Sequence, residues 1–118
     1  MKFLIVEDNA NMRQLIKTLV RSLAVSIREC SDGAEAPAAY AECLPDWVLM
    51  DIKMPQVDGL EATRRILAAH PEARIVMVTD YDDAGLREAA AEAGAWGYVV
   101  KEDLLALRRI ITGAGQGP

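Results

Sequence analysis

The sequence predicts an α/β fold in which a five-stranded parallel sheet is doubly wound, with helices on both faces. Three observations lead to this prediction. Short apolar runs alternate with helical patterns along the 118 residues. The runs are continuous in apolar character, as in strands that helices cover on both faces. Polar residues directly follow several of the runs, where the carboxyl ends of parallel strands would meet. A chain of this length is expected to form one compact domain.

The first βα unit is the clearest. Residues 2–6 (KFLIV) predict a buried strand. The next apolar residues recur at i, i+3, i+4 and i+7, the spacing of an amphipathic helix, and are Met12, Leu15, Ile16, Leu19, Val20 and Leu23.

The second unit is the least regular. A strand is predicted near 25–29 and a helix over 34–43. Asp32 with Glu35 forms a capping-box pattern. Pro37 would then fall at the fifth helical position, where the lost hydrogen bond and the steric clash cost about 3 kcal/mol. We therefore expect this helix to start late or to kink.

Three further units complete a (βα)5 pattern. In chain order they are strand 47–50, a helix carrying Leu60, Ile66 and Leu67, strand 75–79, helix 84–93 with Gly94 as its stop signal, strand 98–100 and helix 104–111. The predicted domain covers residues 1–112, and residues 113–118 (GAGQGP) are expected to be a flexible tail or the start of a linker.

Composition excludes several functional classes. Thirteen Lys and Arg residues against eighteen Asp and Glu residues give a net charge of −5, which argues against nucleic acid binding by this segment. No apolar stretch approaches the length of a membrane span, and the N-terminus does not resemble a signal peptide, so a cytoplasmic location is expected. Cys30, Cys43 and the single histidine, His70, suggest neither a disulfide framework nor a zinc site.

Polar residues are expected to converge at one edge of the sheet. Glu7 and Asp8 follow the first strand, Asp51 follows the third, Thr79 ends the fourth and Lys101 follows the fifth. Because parallel strands share this edge, three acids, a hydroxyl and an amine are brought together.

These residue types indicate phosphoryl chemistry. Crowded carboxylates repel unless a cation is present, and an all-oxygen cluster favours Mg²⁺. Asp51 is a competent nucleophile toward phosphorus, with Lys101 and Thr79 available to contact phosphoryl oxygens. The alternative is that the acids only cap helices, as Asp8 could for the first helix, but capping does not explain a doublet that faces a third acid and a lysine.

With these residues, the chain resembles a receiver domain of a two-component response regulator over essentially its whole length. The matching motifs are the Glu7-Asp8 doublet, DIKMPQVDG at 51–59, Thr79, and GYVVK ending in Lys101. The resemblance implies a flavodoxin-like fold and a phosphoacceptor signalling domain that is not a conventional turnover enzyme. It also implies a sensor histidine kinase as phosphodonor and an output domain or partner protein, with transcription regulation as the wider setting.

The resemblance also assigns roles to individual residues. It implies that Asp51 accepts the phosphoryl group, that Asp8 binds Mg²⁺ directly and Glu7 through water, and that the backbone carbonyl of Lys53 completes the protein ligands. The residues expected to shape the adjacent loop are Met54, Pro55 and Gly59. Both residue types suit this role physically, since proline fixes φ and glycine permits a positive φ.

A switch is implied as well. After phosphorylation the Thr79 hydroxyl would move toward the new oxyanion, and the ring of Tyr98 would turn into the vacated space. The face made by the fourth helix, fifth strand and fifth helix would then repack, changing partner binding or supporting a homodimer.

Some positions depart from the family pattern. Asp80 adds a fourth acid, which would either slow hydrolysis of the acyl phosphate or point to solvent. Lys53 and Tyr81 occupy variable positions that tune the lifetime of the phosphorylated form. Lys101 is followed by Glu102 where proline is common, so no cis peptide is expected there. The run TDYDD resembles receivers that precede a helix-turn-helix output domain.

The residues argue against three alternative classes of protein. A phosphatase of the haloacid dehalogenase type needs its nucleophile after the first strand, in a DxD pattern, and a cap segment. A flavin-binding electron carrier needs a phosphate loop rich in hydroxyls and glycine, where this chain has EDNAN at 7–11. A phosphorylation-independent dimerisation module would typically have lost one member of the acid, hydroxyl and lysine set.

Overall fold

A computed structural model describes residues 1–113 of the chain as one five-stranded parallel sheet with the order β2-β1-β3-β4-β5. The strands are β1 (Lys2–Val6), β2 (Ser26–Cys30), β3 (Trp47–Met50), β4 (Ile75–Thr79) and β5 (Gly97–Val100). The helices are α1 (Ala10–Val20), α2 (Ala36–Cys43), α3 (Gly59–Ala69), α4 (Ala84–Ala93) and α5 (Leu105–Thr112). The predicted flavodoxin-like fold is confirmed, with the reversal of strand order between β1 and β3.

Alternate residues of the buried strands point to opposite faces of the sheet, so the core has two halves. One half packs Leu4, Val48 and Met77 against α2, α3 and α4. The other packs Phe3, Leu49 and Val78 against α1 and α5. Both faces are therefore covered, which is why these strands are apolar throughout.

Element boundaries differ from the predictions mainly at the edge strands. β2 is shifted one residue toward the C-terminus, because Cys30 pairs with Val6 while Val25 is 84% exposed. β5 begins at Gly97, one residue earlier than predicted. Leu15 was predicted to face the core, but it is 51% exposed and lies beside the edge where the polar residues gather.

The prediction that the second helix starts late is confirmed. Asp32 caps a short 3-10 helix at Gly33–Glu35 by accepting a hydrogen bond from the Ala34 N–H. The α-helix itself begins at Ala36, which places Pro37 in its first turn, where a missing N–H costs little. The capping box is only half formed, since Glu35 binds the Ser31 N–H and hydroxyl instead of returning to Asp32.

The structure describes only the first residue of the predicted C-terminal tail. Gly113 ends α5 through its N–H bond to the Arg109 carbonyl, and the rest of the predicted tail, residues 114–118, lies outside the described residues. No helix within residues 1–113 is long and apolar enough to cross a membrane. Both cysteines in this part are free thiols, as expected.

Candidate functional site

The acidic residues meet at the carboxyl edge of the sheet, beside the point where strand order reverses. β1 and β3 are neighbours with Val6 opposite Met50, so the residues that follow them, Glu7 and Asp51, lie side by side. One carboxylate oxygen from each of Glu7, Asp8 and Asp51 lies within 4.8 Å of the others. Glu7 and Asp51 are buried, whereas Asp8 is exposed. The cluster therefore has a buried floor and one solvent-facing acid.

Lys101 reaches into this cluster from the end of β5. Its Nζ lies 2.9 Å from Glu7 Oε1 and 3.5 Å from Asp51 Oδ1, and its side chain is only 8% exposed. Asp80 approaches the same ammonium at 3.8 Å from the solvent side. One buried cation thus lies between the two buried carboxylates that the sequence predicted to converge.

When no metal is bound, the electrostatics of the site disfavour the ionised form of Asp51. Burial, and then the charge of Glu7, raise its pKa to about 7, although Lys101 and the Ile52 N–H act in the opposite direction. Burial lowers the pKa of Lys101, but its close pairing with Glu7 and the charge of Asp51 outweigh that effect and raise the pKa overall. The site therefore contains more negative charge than its lysine can neutralise.

Two observations fit a divalent cation at this cluster. Glu7 Oε1 is buried and, although close to the Lys101 ammonium, is not aligned for a hydrogen bond with any described residue. Asp8 does not cap α1, because Asn9 does so by accepting a hydrogen bond from the Met12 N–H at 2.8 Å. The capping alternative for Asp8 is therefore wrong. An all-oxygen set with one exposed member suits a hard ion that keeps part of its water.

The cluster is held by residues that the motifs did not identify. Asn9 donates its backbone N–H to Glu7 Oε2 at 3.1 Å. Arg13 donates to the Glu7 carbonyl at 2.8 Å and pairs with Glu29 on the edge strand. An N-cap search could have found Asn9, since it precedes the first helical residue. Arg13 carries no such signal, because its partner lies on a different element.

The loop at 51–59 is closed at its base. Gly59 donates its N–H to the Ile52 carbonyl at 2.7 Å, and Ile52 donates to Asp51 Oδ1 at 2.9 Å. Gly59 does not use the positive φ that glycine permits, since Gly94 is the glycine with positive φ among the described residues. Gly59 is required for a different reason. A Cβ there would collide with the carbonyl oxygen of Asp51.

The other loop residues vary in exposure. Met54 is half-buried and packs against the core beneath α2 and α3, whereas Pro55 is exposed. Lys53 is exposed, with its ammonium 5.7 Å from the ring centre of Tyr81, so the two positions expected to tune the lifetime of the phosphorylated form contact each other. Coordination of a metal by the Lys53 carbonyl stays a prediction.

The predicted switch residues are linked through the segment that follows β4. Thr79 is fully buried, and its hydroxyl accepts a hydrogen bond from the Tyr81 N–H at 3.3 Å. The Tyr98 hydroxyl donates to the Tyr81 carbonyl at 2.6 Å, and the guanidinium of Arg87 lies 4.6 Å from the Tyr98 ring centre. Thr79 and Tyr98 thus bond to the backbone of the same residue.

An open cleft of about 390 Å³ lies next to Lys101. Its lining consists of Asn9, Asn11, Met12, Leu15, Asp80 and Lys101. The exposed Leu15 and half-buried Met12 of α1 give this cleft an apolar side.

Comparison with known proteins agrees with this geometry. The family model described as the response regulator receiver domain matches residues 3–112. The chemotaxis protein CheY of Listeria monocytogenes is 38% identical over 102 residues, which cover 86% of each chain.

Two solved structures are also similar. One is a two-component response regulator of the LuxR family from Aurantimonas, with 33% identity, a TM-score of 0.83, and coverage of 95% of this chain and 85% of that one. The other belongs to the CheX-CheY-BeF3-Mg complex from Borrelia burgdorferi, with 26% identity, a TM-score of 0.84, and coverage of 96% and 88%.

Proposed function

The chain belongs to the family of response regulator receiver domains, the phosphoacceptor signalling domains of two-component systems, and we propose that Asp51 is its phosphoacceptor. The observation that carries the proposal is the position of this buried carboxylate between two further acids and the ammonium of Lys101. A phosphorylation-independent dimerisation module is not favoured, because the acid, hydroxyl and lysine set is complete.

Mg²⁺ is the ion proposed for the acidic cluster. Asp8 and Asp51 would bind it directly and Glu7 through water, and the Lys53 carbonyl would complete the protein ligands. When bound, the ion neutralises charge that develops on phosphoryl oxygens. The high pKa of Asp51 predicts that occupation of the site favours the ionised carboxylate, which is the nucleophilic form.

The proposed donor is a phosphohistidine on a sensor histidine kinase. A carboxylate oxygen of Asp51 attacks phosphorus, the phosphorus–nitrogen bond breaks, and the imidazole nitrogen keeps the electron pair. Lys101 is placed to contact one phosphoryl oxygen, and Thr79 supplies a hydroxyl to another. Water later hydrolyses the acyl phosphate and regenerates Asp51. The exposed Asp80, beside Lys101, is proposed to slow that step by repelling hydroxide.

The proposed output is a change in the surface formed by α4, β5 and α5. Movement of the Thr79 hydroxyl toward the phosphoryl group would disturb its bond to Tyr81, the residue that also holds the Tyr98 hydroxyl. α4 has alanine at five of its ten positions and Leu86 as its only large aliphatic residue, so a shift of this helix costs little apolar burial. The repacked surface would bind an output domain, a partner protein or a second copy of the chain.

We also propose the domain boundaries, the biological role and the cellular location. The receiver is assigned to residues 1–112, with residues 113–118 as a tail or linker. The likeness to LuxR-family regulators supports a role in transcription, exerted through an output domain and not through nucleic acid contacts of this segment. Receiver domains are signalling domains, and the proposed chemistry is limited to transfer to Asp51 and hydrolysis of the resulting acyl phosphate. A cytoplasmic location is proposed because it is typical of response regulators.

Intact mass spectrometry tests the phosphoacceptor. The protein is incubated with Mg²⁺ and acetyl phosphate, in parallel with Asp51→Asn, with the exposed surface variant Asp82→Asn, and with added chelator. One phosphoryl group is expected on the wild type and on Asp82→Asn, and none on Asp51→Asn or in chelator. A phosphoryl group on Asp51→Asn would move the acceptor elsewhere. No modification of folded, Mg²⁺-bound wild type would overturn the proposal.

A further inference from the structure

A buried carboxylate outside the acidic cluster makes contacts that the proposed function does not yet use. Asp32 follows β2, is only 7% exposed, and lies in the loop between β2 and α2. We propose that Asp32 is a positioning residue for the Mg²⁺ site, acting from this neighbouring loop to fix the phosphoacceptor loop, residues 51–59. The inference rests on the proposed function, since it assumes that this loop supplies metal ligands.

The contacts join two segments that are distant in sequence. Oδ2 of Asp32 accepts the Gln56 N–H at 3.0 Å, and Oδ1 accepts the Val57 N–H at 3.1 Å. The next residue, Gly33, lies so close to the Val57 carbonyl that a Cβ would collide with it. The two loops therefore contact each other through the charged side chain of Asp32 and through the backbone of Gly33.

These contacts fix the far side of a loop whose base is already closed. The Gly59 N–H bonds to the Ile52 carbonyl at the base, and Asp32 holds Gln56 and Val57. Residues 53–55 span the interval between these two anchors, so the direction of the Lys53 carbonyl depends on both. Residues that orient metal ligands in this way typically affect metal affinity by about 10- to 100-fold.

The ionised state of Asp32 strengthens the link. Burial alone raises the pKa of a carboxyl group, but three backbone N–H donors outweigh it and lower the pKa of Asp32 overall. Hydrogen bonds to an ionised acceptor are roughly twice as strong as neutral ones. Within residues 1–113, no salt bridge to this carboxylate is present, so the backbone donors carry its stabilisation.

Helix capping explains only one of the three bonds. As an N-cap, Asp32 accepts the Ala34 N–H at 2.8 Å. The bonds to Gln56 and Val57 do nothing for α2, whose first residue is Ala36. A serine can replace an aspartate as a cap but is too short to reach the second loop. The Asp32→Ser variant therefore removes the loop contacts while keeping the cap.

The test measures Mg²⁺ affinity by calorimetry, with no phosphodonor present. Asp32→Ser is compared with wild type, with the conservative Asp32→Asn, and with Asp83→Ser, which alters an N-cap of the same geometry on α4. The dissociation constant should rise at least about tenfold in Asp32→Ser. It should rise less in Asp32→Asn, which keeps one carbonyl oxygen, and stay within about twofold of wild type in Asp83→Ser.

Amide exchange provides a second measurement. Amide exchange at Gln56 and Val57 should accelerate in Asp32→Ser and not in Asp83→Ser. An unchanged dissociation constant in folded Asp32→Ser, with wild type binding Mg²⁺ normally, would overturn the inference alone. If Asp32→Ser does not fold, wild-type affinity in Asp32→Asn would overturn it, and weakened affinity would support it. Absence of Mg²⁺ binding by wild type would overturn the metal site and this inference together.

Discussion

Replacing Asp51 by Asn should make the metal-free protein more stable at pH 8. In the fold the pKa of this carboxyl is raised to about 7 by burial and by the charge of Glu7, from an ordinary value of 3.8. The folded protein therefore binds a proton that the unfolded chain has already released between about pH 4 and pH 7. Stability falls as pH rises through that window, and the full cost is present above pH 7.

The size of the effect follows from the pKa. A difference of roughly three pH units at about 1.4 kcal/mol each gives up to about 4 kcal/mol. Asp51→Asn keeps the shape of the protonated acid and carries no charge. Lys101 loses a contact at 3.5 Å but keeps Glu7 at 2.9 Å, so we expect a net gain of about 2–4 kcal/mol in the free energy of unfolding. For a domain of this size this is on the order of 10 °C in Tm.

Urea and thermal unfolding in chelator at pH 8 and pH 5 measure this difference. Asp51→Asn should exceed wild type at pH 8, with a smaller advantage at pH 5. Asp80→Asn is the matched control, because its carboxylate is 70% exposed and should change stability little. Mg²⁺ should stabilise wild type more than Asp51→Asn. Equal or lower stability of Asp51→Asn in chelator at pH 8 would refute the conclusion that Asp51 carries an electrostatic cost.

The remaining predictions concern the metal, the loop and the switch. Mg²⁺ affinity measured by calorimetry should fall by about tenfold per pH unit below pH 7, because protons compete for Asp51; a flat profile from pH 5 to pH 7 would contradict this. Gly59→Ala should lower the free energy of unfolding by about 1–3 kcal/mol through collision with the Asp51 carbonyl, whereas Gly85→Ala, which has ordinary space, should not destabilise. Tyr98→Phe loses the hydrogen bond to the Tyr81 carbonyl, which is worth about 1 kcal/mol. This variant should change the gain in partner affinity that phosphorylation causes, as measured by titration. An unchanged gain would count against this switch.

Local sequence pattern was sufficient for most of the fold. Continuous apolar runs predicted β1, β3 and β4 to the residue, and the helical run ending at Gly94 predicted α4 in the same way. Boundaries were less accurate at β2, because an edge strand is only half covered and its apolar pattern is weak. The late start of α2 was predictable because a proline loses a backbone hydrogen bond in the interior of a helix but costs little in its first turn.

The sequence by itself determined which chemistry gathers at the carboxyl edge, because each polar residue follows a strand and parallel strands share that edge. Only the tertiary structure decided how those groups are held. In the structure, Asn9 caps α1, and glycine is needed at position 59 because the Asp51 carbonyl approaches it closely. The acceptor loop is supported by Asp32. The physical reason is the sequence separation over which each kind of interaction acts. Periodicity and capping act within a few residues, whereas the contact of Asp32 with Gln56, across 24 positions, exists only once β2, β1 and β3 have paired in order.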